Sequence, residues 1–252
     1  LFLSLFVLGE QLPSQIPAQS LSAYPLETLE IANTRAAYTT RAFFPPDTIQ
    51  LDPWHRWKFN RVLFGYVEEG GSYKLVFRLY FPSRYLSTEG RDYLLLAKRV
   101  LHYALSFFII GREYLGRTSQ WSKDGVVDIW LCEKGDVGGE QIGKDLYIYQ
   151  IGREREEMEL LREIAHEWGH HIIPPVGPYK EPEKWANGYI GERLLLNLLK
   201  ENLTTSRQRE DIAKFLEQRN ALPLEIFRKA GNPSGLLRDE GEEGFWYLVG
   251  YV

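Results

Sequence analysis

The chain has 252 residues, 44% of them hydrophobic, enough for one substantial core with extensions. Its net charge of −4 and pI of about 5.8 lack the basic footprint of a nucleic-acid binder. A single cysteine, Cys132, excludes an intrachain disulfide and a thiolate metal cluster; between strand-like neighbours it reads as a buried, inert thiol.

In chain order, Leu1-Phe2-Leu3-Ser4-Leu5-Phe6-Val7-Leu8-Gly9 has the length of a signal-peptide core, without a basic leader. It reads as a truncated signal peptide, and the expected location is therefore secreted or cell-envelope. No other segment reads as a membrane span. Residues 10–58, rich in Pro, Ser and Gln, read as an extended linker or wrapping segment before a domain over 59–252. Arg61 to Val67 and Tyr73 to Phe81 are β-rich and flank Glu68-Glu69-Gly70-Gly71-Ser72, a hairpin signal. Apolar residues at helical spacing predict a long helix over Ser87 to Glu113. A strand follows over 125–131, then a Gly-rich loop over 135–143 and a strand over 145–151. Helices are predicted over 154–173, stopped by Pro174-Pro175, and over 183–202, with Pro182 at its start. Two shorter helices cover 207–218 and 224–230. The final octet, 245–252, is strongly apolar, which reads as a domain cut short at its C-terminus. The predicted fold class is α+β. A small mixed or antiparallel sheet with an edge strand packs on a long helix and on the 154–173 helix, followed by a mostly helical part.

The helix over 154–173 carries His166-Glu167-Trp168-Gly169-His170, a His-Glu-x-x-His pattern. Histidines four apart share one helix face, so both imidazoles can reach one metal ion. Glu167 lies beside that ion, placed to take a proton from water. Gly169 weakens a helix by roughly 1 kcal/mol against alanine, which predicts close approach of another backbone there. His171 points about 100° away from His170 and reads as a packing or supporting residue. His55 and His102 are isolated, and His102, within a helix, reads as a core histidine.

Catalytic zinc usually has three protein ligands and an open position. Glu181, Glu183 and Glu192 are the near candidates for the third. On a helical wheel Glu192 falls in the apolar arc of Trp185, Tyr189, Leu196 and Leu199, whereas Glu183 falls opposite. A lone buried carboxylate is costly unless compensated, by a cation such as zinc or by a buried Arg or Lys. Glu192 is the expected third ligand.

The order strand, long helix, strand, Gly-rich loop, edge strand (Leu146–Ile151) and motif helix, from about Phe77 onward, resembles the gluzincin-type zinc metallopeptidases, the thermolysin-like and peptidase-MA-like group. The resemblance implies a secreted zinc peptidase acting on a peptide or protein substrate, with one zinc ion, Glu167 as general base, and an edge strand that holds extended peptide. It also implies a third-ligand glutamate on the second helix, in a Trp-x-x-Glu-Gly pattern. Here the position three after Trp185 is Gly188, and Glu192 lies one turn later. Tyr179 and Tyr189 are the candidate oxyanion or substrate contacts. The alternative is a non-catalytic extracellular binding module that keeps the metallopeptidase fold.

Overall fold

A computed structural model describes residues 14–17, 25–175, 183–203 and 205–230. The expected signal segment 1–9 and the apolar octet 245–252 lie outside them. The chain folds as a mixed α+β structure with ten strands and four helices among the described residues. Strands β1 (Gln15–Pro17), β2 (Leu26–Ile31), β3 (Thr34–Thr39), β4 (Gln50–Leu51) and β5 (Lys58–Phe59) precede a hairpin of β6 (Arg61–Glu69) and β7 (Ser72–Phe81). Helix α1 (Leu94–Leu115) crosses to β8 (Val127–Leu131), followed by β9 (Gly139–Ile142) and β10 (Asp145–Ile148). Helices α2 (Glu157–Ile172), α3 (Glu183–Asn202) and α4 (Ser206–Ala230) complete it.

The main sheet runs β2-β3-β6-β7-β8-β10-β9, with β1 added beside the start of β7. The β7–β8 and β8–β10 pairs are parallel and the others antiparallel. The expected hairpin forms as read: Gly70 and Gly71 take φ of 59° and 80°, as a two-residue turn matched to strand twist requires. The core lies between one sheet face and the helices, with Phe77, Leu79, Leu101, Leu105, Phe107 and Trp168 fully buried. A side chain at Gly65 would come within 2.9 Å of Leu101, so this glycine lets α1 settle on β6.

Four expectations are corrected. Within the segment 10–58, read as a linker or wrapping segment, the described residues 25–58 are not a linker, because β2 and β3 form the outer part of the main sheet and β4 pairs with β5. Leu146–Ile151 is not the edge strand: β10 is buried throughout, between β8 and β9, and the edge is β9, inside the segment read as a loop. The long helix starts at Leu94 because Glu133 holds the preceding segment in a loop. Its carboxylate accepts from Ser87 Oγ (2.5 Å), the Thr88 N–H (3.0 Å) and the Tyr93 hydroxyl (2.9 Å). The two short C-terminal helices are one, α4, running through Pro223. Proline has no N–H to give the carbonyl four residues back, and Arg193 Nη2 reaches that Arg219 oxygen at 3.5 Å.

α1 is long and apolar enough to cross a membrane (mean hydropathy 1.5), contrary to the sequence reading. In this fold 67% of its apolar window is buried, so its apolarity serves the core. Cys132 is buried as expected, and burial raises its thiol pKa well above the usual value.

Candidate metal centre

Helix α2 carries the motif against the sheet and α3. Trp168 anchors it, fully buried with its ring 5.5 Å from Phe77 and 5.9 Å from Phe108, centroid to centroid. Gly169 meets the expected backbone neighbour. A Cβ built at Gly191 of α3 would lie 2.2 Å from Gly169 Cα, and one at Gly169 would lie 2.7 Å from the Gly188 carbonyl oxygen. Two helices without side chains at this crossing touch backbone to backbone, which brings α3 onto the histidine face.

His166 and His170 pack with ring centroids 5.0 Å apart at 74°. Both Nε2 atoms lie close against Gly188, since a Cβ there would stand 2.5 Å from Nε2 of His170 and 2.6 Å from Nε2 of His166. Glycine leaves that place clear. Asn187 Oδ1 lies 2.8 Å from His170 Nδ1 and accepts its proton, so Nε2 keeps its lone pair for a metal. Asn187 is itself held by donation to the Ile173 carbonyl at 3.2 Å. Burial, with the neighbouring His166 second, pushes His170 down to about 3, so the imidazole is neutral.

Glu167 is buried under the edge strand. A Cβ on Gly139 of β9 would sit 2.8 Å from Glu167 Cγ and 2.9 Å from its Oε1. The carboxylate has no hydrogen-bond partner among the described residues. Burial raises its pKa to about 7, with His166 opposing that shift. Its neighbour one turn back, Glu163, is buried too but ion-paired with Arg155, whose guanidinium also donates to the Tyr149 carbonyl.

Glu192 is buried on the predicted arc, but its carboxylate does not join the Nε2 atoms. Its Oε2 lies 3.4 Å from His166 Nδ1, on the other side of that ring, and 3.2 Å from Arg162 Nη1. In this arrangement Arg162 compensates the charge. Tyr189 is buried, with its ring edge-on to His166 at 4.5 Å, while Tyr179 and Glu181 lie outside the described residues, as does the side chain of Glu183. His171 is fully buried and supports the helix end: it stacks on Trp168 and its Nδ1 meets Ser119 Oγ at 2.7 Å. Gln120 and Trp121 both donate to the His170 carbonyl, at 2.9 and 3.0 Å.

The donor set thus fits the two-histidine part of a zinc centre: a neutral His170 imidazole with its proton held on Nδ1, and the Nε2 atoms of both histidines next to each other beside Gly188. It does not complete a three-ligand set, because no group of three potential ligands converges among the described residues. Asn187, Gly188 and Gly139 were not read as site residues. On the helical wheel Asn187 falls about 140° from Glu192, on the side of Glu183 and outside the apolar arc, so the pattern gave no signal for it. Comparison with known protein families, curated proteins and solved structures gave no match.

Proposed function

We propose that the chain is a zinc-dependent peptidase of the thermolysin-like, gluzincin type, cleaving a peptide or protein substrate by hydrolysis. The observation that carries this reading is the closeness of the His166 and His170 Nε2 atoms to one another beside Gly188, whose lack of a side chain leaves both uncovered, next to the buried Glu167. His166 and His170 would hold the ion, which would polarise the scissile carbonyl and acidify water. Asn187 orients His170. Glu167, with its pKa raised to about 7, takes a proton from water as the oxygen adds to the peptide carbonyl carbon. It then gives that proton to the departing amine nitrogen. The open edge of β9, touching Glu167 through Gly139, supports binding of extended peptide by strand addition. The order β7, α1, β8, the β9–β10 hairpin, α2 and α3 supports the thermolysin-like likeness. An extracytoplasmic location stays with this reading and rests on the apolar residues 1–9.

A second reading, a non-catalytic binding module on the same fold, is favoured by one pair of observations. Gly188 stands where the resemblance implies a carboxylate, and Glu192 is spent on Arg162. Zinc analysis with a peptide-cleavage assay on wild type and Glu167→Gln separates the two. The peptidase reading expects zinc in both proteins and cleavage only in wild type. Zinc without cleavage in wild type favours the module.

A further inference from the structure

A cavity of about 340 Å³ opens on the sheet face away from α1 and α2, at the carboxyl ends of the parallel strands β7 and β8. Pro82, just past β7, and Leu131 and Cys132, at the end of β8, form one side; Trp57, Phe59 and Leu86 contribute the rest of an apolar floor. Crevices beyond the carboxyl ends of parallel strands are favoured ligand positions, and this volume lies in the range of small-molecule sites.

Its rim is cationic. Arg56, Lys58 and Lys134 line it, and none of them is in an ion pair among the described residues. The one acidic lining residue, Glu133, is outnumbered by these three cations, and both of its oxygens are engaged by the 87–93 loop, through Ser87, Thr88 and Tyr93. The loop that supplies Arg56 is built to hold its shape. The fully buried Asp52 carboxylate accepts the N–H groups of Trp54, His55 and Trp57 at 3.1, 2.7 and 2.6 Å. Between the last two, Arg56 is forced to φ 61°, a left-handed conformation uncommon for a side-chain-bearing residue. The strain sets an arginine at the mouth of an apolar cavity where its charge has no ion-pair partner among the described residues.

We propose that this cavity binds a small organic anion, a carboxylate or phosphate group carried on an apolar body. The apolar part would rest on Trp57, Phe59 and Leu131, and the anionic group would meet Arg56, Lys58 and Lys134. The site is separate from the histidine centre and does not depend on the peptidase reading.

Calorimetric titration of the full chain with 4-phenylbutyrate, phenyl phosphate and the neutral 4-phenylbutanamide tests it. At least one anion should bind saturably at one site, and the tighter of the two names the headgroup. The amide should bind at least about tenfold more weakly. The Lys58→Glu/Lys134→Glu double variant changes only exposed positions and should lose anion affinity by a similar factor with an unchanged melting temperature. Equal binding of the amide, wild-type affinity in the double variant, or no saturable binding of either anion up to about 5 mM would overturn the proposal. The amide comparison uses wild-type protein alone, so it stands even if the double variant fails to fold.

Discussion

Asp52 and Glu167 are both buried carboxylates, and their surroundings differ in kind. Asp52 is saturated by three backbone N–H groups and the Tyr147 hydroxyl at 3.2 Å, so its charge is spent on shaping a loop. Glu167 has a glycine backbone, an imidazole and the helix around it, and no hydrogen-bond donor among the described residues. A buried carboxylate saturated by donors stabilises structure, whereas one with few donors and a raised pKa is available to exchange a proton.

The sharpest way to break this contrast is to remove each carboxylate's charge. Glu167→Gln keeps the shape and removes the base. Peptide hydrolysis should fall by roughly 10²–10⁴-fold, measured as initial rates on a peptide substrate, while the fold and zinc content stay as in wild type. A tenfold loss or less would place the base elsewhere. Asp52→Ala should do the opposite. It strands three N–H groups and a phenol, and urea unfolding should show a loss of about 3 kcal/mol. A loss below about 0.5 kcal/mol would mean water replaces the carboxylate and the loop does not need it.

A pH titration sharpens the same point. The folded pKa of Glu167, about 7, is raised above the ordinary 4.5, so the protonated form is favoured by folding. Its contribution is full below pH 4.5, and is lost as pH rises through 7. In chelator, wild-type stability should therefore decline relative to Glu167→Gln between pH 5 and 8, by on the order of 2 kcal/mol. Parallel curves for the two proteins would show that Glu167 is not desolvated. The smallest effect belongs to Asn187. Without its carbonyl, His170 loses its fixed tautomer, and Asn187→Ala should weaken zinc affinity by about 10-fold, read by competition with a chromophoric chelator. Unchanged affinity would leave Asn187 a helix-packing residue.

Much of this arrangement was legible in local pattern. The Gly70-Gly71 hairpin, the span of α3 and the backbone approach at Gly169 each follow from a short signal that one residue type imposes. The strands β2 and β3 were not legible although they form a local hairpin, because its Ala32-Asn33 turn carries no glycine and the stretch lies in Pro- and Ser-rich surroundings; the further pairing of β3 with β6 is tertiary. The true edge, β9, was masked by its glycines: Gly139 is there because Glu167 allows nothing larger, and Gly143 because the turn to β10 needs φ 59°. The wheel placed Glu192 on a buried arc correctly. It could not say which ring nitrogen of His166 the carboxylate would face, since that depends on the depth of the α2–α3 crossing and on Arg162.

Zinc binding tests the central claim most directly. Metal-free protein titrated with zinc against a competing chelator should take up about one ion per chain, with affinity reduced at least about 100-fold in His166→Ala and in His170→Ala and preserved in Glu167→Gln. No zinc uptake by the wild-type chain, or uptake indifferent to both histidine substitutions, would contradict the account.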